Sequence, residues 1–310
     1  MSLGWVAGAI RGRALARRRL GDDGVRALGA QHSLRDALRL LSASSYGHDV
    51  RGDMDAPSAR LAVAATALWH LRVLAGWLPP GGARLVSAVA GWFELENIEG
   101  KTLKLATENR WRERPHALGA LASVWPKVAD AATLEQVRAA LASSDWGDPG
   151  ADTIPAMLLG VHLGWARRFR DVLRQSHSWS DGALAIAIAK ARFAQGARAP
   201  ASTSELPRVV ELGTRWSDAE TLRDFATVVP ASARWPLATV HDPSDLWRAE
   251  RVWWTQIDHD AMHLLRNAGL GRTTVIAAAA LLVSYCWRTQ AAVSRAARGL
   301  TDMEHDRGEA

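Results

Sequence analysis

Residues 33–47 read SLRDALRLLSASSYG, and one hundred residues later 133–147 read TLEQVRAALASSDWG. Each stretch opens on a hydroxyl side chain, Ser33 or Thr133, of the kind that accepts a backbone N–H at a helix start. Apolar residues follow at helical spacing, and each stretch closes on an aromatic and a glycine, Tyr46-Gly47 and Trp146-Gly147. A weaker third copy, TLRDFATVVPASARW, runs from Thr221 to Trp235. A longer, Trp-rich helical pattern follows each copy. The repetition predicts an all-α chain of three related helical modules, residues 1–112, 113–200 and 201–300, followed by a disordered acidic tail at 301–310.

The segments between the copies fill in this plan. Leu3, Val6, Ile10 and Ala14 form one stripe of an N-terminal helix, with Arg11 and Arg18 beyond it. Pro57-Ser58 opens a long helix that Pro79-Pro80-Gly81-Gly82 stops, and the next helix reaches about Ala106 with a break expected near Gly91. Thr133 to Gln136 and Ser217 to Glu220 both read as capping boxes. Long helices are expected at 156–173, 180–195, from about Asp245 to Gly269, and at 274–297. Gly196 to Ser204 reads as a linker.

Fifteen tryptophans against two tyrosines is an unusual ratio. Pairs such as Trp69 and Trp77, or Trp247 and Trp254, sit inside apolar helical patterns and are expected to face a core. That weakens a nucleic-acid reading, although 34 Arg are available for phosphates; with only four Lys the Arg count partly reflects compositional bias. The lone Cys286 excludes an internal disulfide and fits a reducing compartment. The apolar runs at 61–78 (broken by His70 and Arg72) and 275–287 (too short) read as core helices, so no membrane span and a cytoplasmic location are expected. Of the +6 net charge, residues 1–40 carry +5, from eight Arg and three Asp. Such a region suits phosphates, an anionic lipid surface or an acidic protein, or it is a solvated face.

Candidate chemistry is sparse. His241-Asp242 and His259-Asp260 are doublets of the kind used by helical HD-type metal phosphohydrolases, and His259 with His263 has the i,i+4 spacing of a zinc pair. Pro243 makes the first doublet a turn. In the second, HDAMH lacks the Glu base of HExxH, and no third ligand follows at recognisable spacing. No phosphate-binding P-loop, GxSxG elbow or paired Cys motif is present. Gly269 to Thr274 places glycines before a helix, as an anion site or a plain helix junction would. No cofactor, metal or catalytic residue is assigned.

The N-terminal run from Ala9 through Arg11, Arg13, Arg17 and Arg18 to Leu20, the helix exit Ser44-Ser45-Tyr46-Gly47, and Trp92-Phe93-Glu94-Leu95-Glu96-Asn97-Ile98 form a recognisable set. With Glu250-Arg251, Trp254, Asp258, Leu264 and Tyr285 they make the chain, over about residues 5–299, resemble the C-subunit family of the V/A-type (vacuolar/archaeal-type) rotary ATPases, whose eukaryotic V-ATPase equivalent is the d-subunit. Two stretches depart from that pattern: Glu99 stands where a basic residue is usual, and residues 292–297 read AVSRAA in place of Glu-Val-x-Asn-Leu-Arg.

The resemblance implies a non-catalytic rotor protein, a funnel of three modules in a pseudo-threefold arrangement. Its partners would be the central shaft of the ATPase head and the membrane c-ring, with no nucleic acid and no span of its own. Its place would be the inner face of the plasma membrane, in ion transport or ATP synthesis. Arg11, Arg13, Arg17 and Arg18 are the candidate interface, and Tyr46, Gly47, Trp92, Asn97, Trp146, Gly147, Trp254 and Tyr285 the candidate structural positions. The alternatives are an HD-like phosphohydrolase and a generic helical adaptor.

Overall fold

The computed structural model describes residues 3–107, 114–172, 177–194, 209 and 211–299. It is all-helical, with no strand among the described residues. The expected linker at 196–204 and the tail at 301–310 lie outside them. The chain divides into two compact units. The first comprises Met1–Ala90, His116–Leu121 and Asp258–Ala310; the second comprises Gly91–Pro115 and Ala122–Ile257.

The first unit contains α1 (Leu3–Ala16), α2 (Gly21–Gly29), α3 (Leu34–Ser42), α4 (Ala56–Gly76), the start of α5 (Pro80–Ala106), the end of α12 (Leu246–Asn267) and all of α13 (Arg272–Ala297). Helix α13 is its centre and packs on α1, α2, α3 and α4. Every residue from Thr274 to Cys286 is buried. By length and composition α13 is apolar enough to cross a bilayer, longer than the run at 275–287 suggested, yet 72% of its apolar stretch is covered by protein.

The apolar stripe expected for α1 is not its buried face. Gly8, Ala9, Gly12, Leu15 and Ala16 are buried instead, while Leu3 is 88% and Ile10 55% exposed. The cause is proximity: a Cβ on Gly12 would stand 3.0 Å from the Ala278 Cβ, so small residues set how closely α1 approaches α13. Between α4 and α5 the interruption is also shorter than Pro79-Pro80-Gly81-Gly82 implied. Pro80 begins α5, the Pro79 carbonyl accepts from Gly82 and Ala83 N–H at 2.7 and 3.0 Å, and the helix runs unbroken through Gly91.

The second unit holds the rest of α5, then α6 (Trp125–Asp130), α7 (Leu134–Ala142), α8 (Ile154–Val172), α9 (His177–Phe193), α10 (Leu222–Val228), α11 (Ala231–Arg234) and α12 up to Ile257. Helix α9 is buried all round from Trp179 to Ala189 and packs on α8, α10 and α11. A helix with no polar face belongs in a core.

The repeated stretches form the same local structure. Ser33 Oγ accepts from Asp36 N–H at 3.2 Å, and Thr133 Oγ1 from Gln136 N–H at 3.2 Å. At the exits, Ser44 and Ser144 each donate their hydroxyl to the carbonyl of Leu41 or Leu141, at 2.6 and 2.7 Å. The same hydroxyls accept from Tyr46 and Trp146 N–H, both at 3.2 Å. Gly47 and Gly147 close the turn on the Ser44 and Ser144 carbonyls. Tyr46 and Trp146 are both buried.

The third copy starts alike, with Thr221 Oγ1 accepting from Asp224 N–H at 3.1 Å, but α10 ends at Val228 because Pro230 cannot extend it. The capping box at Ser217 does not form; Ser217 lies in a 3₁₀ turn, and Thr221 is the cap. At Thr133 the reciprocal bond goes one residue further back, from Ala132 N–H to Gln136 Oε1 at 2.6 Å.

Candidate functional site

In the first unit, the four candidate arginines separate into two kinds. Arg13 donates to the Ala268 carbonyl at 2.6 Å, tying α1 to the end of α12, and the Arg11 guanidinium stands 5.8 Å from the Trp77 ring centre. Arg17 and Arg18 are exposed. Their neighbour Arg19, outside the candidate set, packs over the Tyr285 ring at 4.9 Å. The Arg18 carbonyl accepts from Ser45 Oγ at 2.6 Å, joining the basic segment to the turn that carries Tyr46.

Tyr285 belongs to an ionic cluster between α2, α12 and α13. Its hydroxyl donates to Asp22 Oδ1 at 3.0 Å, and Arg288 bridges Asp22 at 2.7 Å and Asp258 at 3.0 Å. Ser284 Oγ also donates to Asp258, at 3.2 Å. Burial pushes the Asp258 carboxyl above its ordinary range against the pull of Arg288. Burial likewise pushes the Tyr46 phenol far up, so it remains protonated. Both tyrosines serve as packed hydroxyls within the α13 core.

In the second unit, Trp92 and Trp254 meet in a tryptophan cluster. The Trp92 ring centre lies 5.3 Å from Trp253, 5.1 Å from Trp254 and 5.4 Å from Trp165, and Phe169 stacks on Trp165 at 4.9 Å. Edge-to-face and offset stacking of this kind adds to the apolar burial. Trp253 Nε1 donates to the Trp179 carbonyl at 2.7 Å, locking α12 to α9.

Polar groups surround this cluster. Trp92 Nε1 donates to Glu96 at 2.9 Å, His162 Nδ1 lies 3.3 Å from Glu99, and Lys190 pairs with Glu250. Burial raises the Glu99 carboxyl, with His162 opposing.

Glu94, one turn from Asn97, is the most heavily bonded carboxylate among the described residues. At 1% exposure it accepts from the N–H groups of Ser123, Val124 and Trp125 at 2.7, 2.8 and 2.8 Å, and from Ser123 Oγ at 2.6 Å. It thereby caps α6, whose own N-cap, Val124, has no side-chain acceptor. Ser123 Oγ also accepts from Trp146 Nε1 at 2.9 Å, and Arg168 stands over Trp146 at 4.7 Å and 3.8 Å from Glu94. The repeat's Trp146 and the motif at Trp92–Ile98 therefore share one network. Asn97 is buried.

The first histidine doublet forms a turn and the second lies on α12. Asp242 caps the 3₁₀ turn Pro243–Asp245 through Ser244 N–H, and His259 and His263 are exposed on α12. Among the described residues no group of three His, Cys, Asp or Glu side chains converges to hold a metal ion. Trp69, Trp77 and Trp247 do not face a core: they are 46%, 54% and 39% exposed, and only Trp254 of the four is buried. Arg248 and Arg251 flank the Trp247 ring at 5.3 and 5.4 Å, so guanidinium groups cover part of the indole.

Sequence spacing assigns no role to Asp22, Arg19, His162, Ser123 or Arg168. The Trp92–Glu96 bond and the Trp165–Phe169 stack do have a local signal, their i,i+4 spacing. Compared with known proteins, the chain matches no family model and no curated protein.

Proposed function

We propose that the chain is the central-stalk rotor component of a V/A-type rotary ATPase, joining the shaft of the soluble head to the membrane c-ring. In this reading it has no catalytic site and no cofactor. It works on the cytoplasmic face of the plasma membrane, as three modules (1–112, 113–200 and 201–300) forming a funnel around the axis.

The observation that carries the reading is the repeated cap and exit at Ser33–Gly47 and Thr133–Gly147, the same hydrogen bonds one hundred residues apart. Repetition of a scaffold suits a part that encloses an axis better than one that owns a single pocket. A torque-bearing body must also be stiff. The tryptophan cluster and the ionic cluster at Arg288 pin long helices to each other through dense contacts.

The test is coupling. Membrane vesicles from cells lacking the chain are expected to lose ATP-driven ion uptake while the head still hydrolyses ATP, and purified chain should restore uptake. Undiminished uptake without the chain would remove it from the rotor and leave a helical adaptor as the reading.

A further inference from the structure

We propose that the outward face of α1, together with Trp77, docks directly on an anionic lipid surface. This goes beyond the rotor reading and does not depend on it. Leu3, Ile10, Ala14 and Arg17 recur at i, i+7, i+11 and i+14 and so share one face of a helix. That face lies opposite the Gly8, Ala9, Gly12 and Leu15 contacts that hold α1 against its own unit. Leu3 and Ile10 stand 88% and 55% in solvent, an exposure that the internal packing does not explain. Trp77, at the end of α4, is 54% exposed with the Arg11 guanidinium beside its ring.

The charge on this face selects the partner. Five arginines fall within the first 21 residues and no acidic residue precedes Asp22; Arg11, Arg13 and Arg19 are held by Trp77, the Ala268 carbonyl and Tyr285. Arg17 and Arg18 are exposed at the end of the apolar face. A helix carrying single protruding aliphatic side chains and flanking arginines, with the Trp77 indole at the end of α4 beside its Arg11, suits the plane of an anionic bilayer. The apolar groups enter at headgroup depth and the arginines reach the phosphates. A protein partner of ordinary size would need a broad complementary patch, and this face offers one narrow stripe.

The test uses the full chain and co-sedimentation with vesicles. Binding is expected with phosphatidylcholine vesicles containing phosphatidylglycerol at low ionic strength, but not with phosphatidylcholine alone. It should fall steeply as salt rises. Reversing Arg17→Glu and Arg18→Glu together should weaken it by roughly tenfold or more. Ile10→Glu should weaken it too, without changing the circular dichroism, because Ile10 lies outside the buried face of α1. An environment-sensitive fluorophore on Ile10→Cys should shift to the blue as vesicles are added. Cys286, the only native cysteine, is buried and escapes labelling.

No binding to anionic vesicles, binding that ignores Ile10→Glu, or a label that stays in water while the chain sediments would each overturn the inference. Capture of α1 by soluble rotor proteins in place of vesicles would assign the face to a protein and leave the rotor reading standing. Vesicle binding by a chain whose loss leaves ion uptake intact would do the reverse.

Discussion

Glu94 shows how one side chain can organise a neighbourhood that sequence spacing does not reveal. Its carboxylate takes the place of an N-cap for α6 while lying 29 to 31 residues from the N–H groups it satisfies. The motif at Trp92–Ile98 was legible, but the role of its acid was not, because no periodicity links Glu94 to Ser123. Replacing Glu94→Ala strands three backbone donors and leaves Arg168 without its carboxylate. Urea unfolding should show a loss of about 3 kcal/mol, and Glu94→Gln, which keeps one acceptor oxygen, a smaller loss.

His70 gives a second prediction at this scale. Burial holds its pKa below the ordinary 6.5, helped by Arg18 and Arg11 and opposed by Asp49. A lowered folded pKa means that the neutral ring's contribution is fully present above pH 6.5 and is lost as pH falls below it toward the folded value. Stability measured in urea should therefore decline on acidification from about pH 7.5 to about pH 5, and His70→Phe should flatten that decline. Parallel declines in both proteins would show that other groups carry it.

At the scale of elements, local chemistry was the most legible part. Ser33, Thr133 and Thr221 are caps because short hydroxyl side chains satisfy helix-start N–H groups, a matter of a few residues that needs no tertiary knowledge. Ser33→Ala and Thr133→Ala should each cost about 1 kcal/mol, and similar values would fit two copies of one unit. Gly47→Ala should cost more, since the new methyl group would collide with the Ser42 carbonyl.

Where pattern and structure differ at this scale, packing overrides pattern. On α1, apolar size points to Leu3 and Ile10 as the inner face, whereas close approach to Leu78 selects Gly8 and close approach to α13 selects Gly12. The Pro-Gly stretch at 79–82 resembles a stop, but Pro80 is favourable at a helix start, where its missing N–H has no partner to lose. The Ser217 box loses to Thr221, four residues on, because the preceding segment closes into a 3₁₀ turn.

For the whole molecule, the all-α class follows from periodicity and the near absence of strand signals, and the structure is helical with no strand among its described residues. The long-range partnerships were illegible, since Arg288 with Asp22 and Trp92 with Trp253 join residues distant in the chain. Six of the fifteen tryptophans show two contrasting roles: Trp92, Trp165, Trp253 and Trp254 form one cluster, while Trp77 and Trp247 sit at the surface beside arginines. Truncating Trp253→Ala should cost about 3–5 kcal/mol and also remove its bond to the Trp179 carbonyl, measurable as a lowered urea midpoint.

The central claim, that this chain joins shaft to ring, is tested most directly by native mass spectrometry of the tagged chain isolated gently from its own membranes. The rotor reading predicts a complex in which one copy of the chain is bound with the shaft proteins of the ATPase head and the c-ring. Recovery of the chain alone, or in stable complexes that contain neither shaft nor ring, would contradict it.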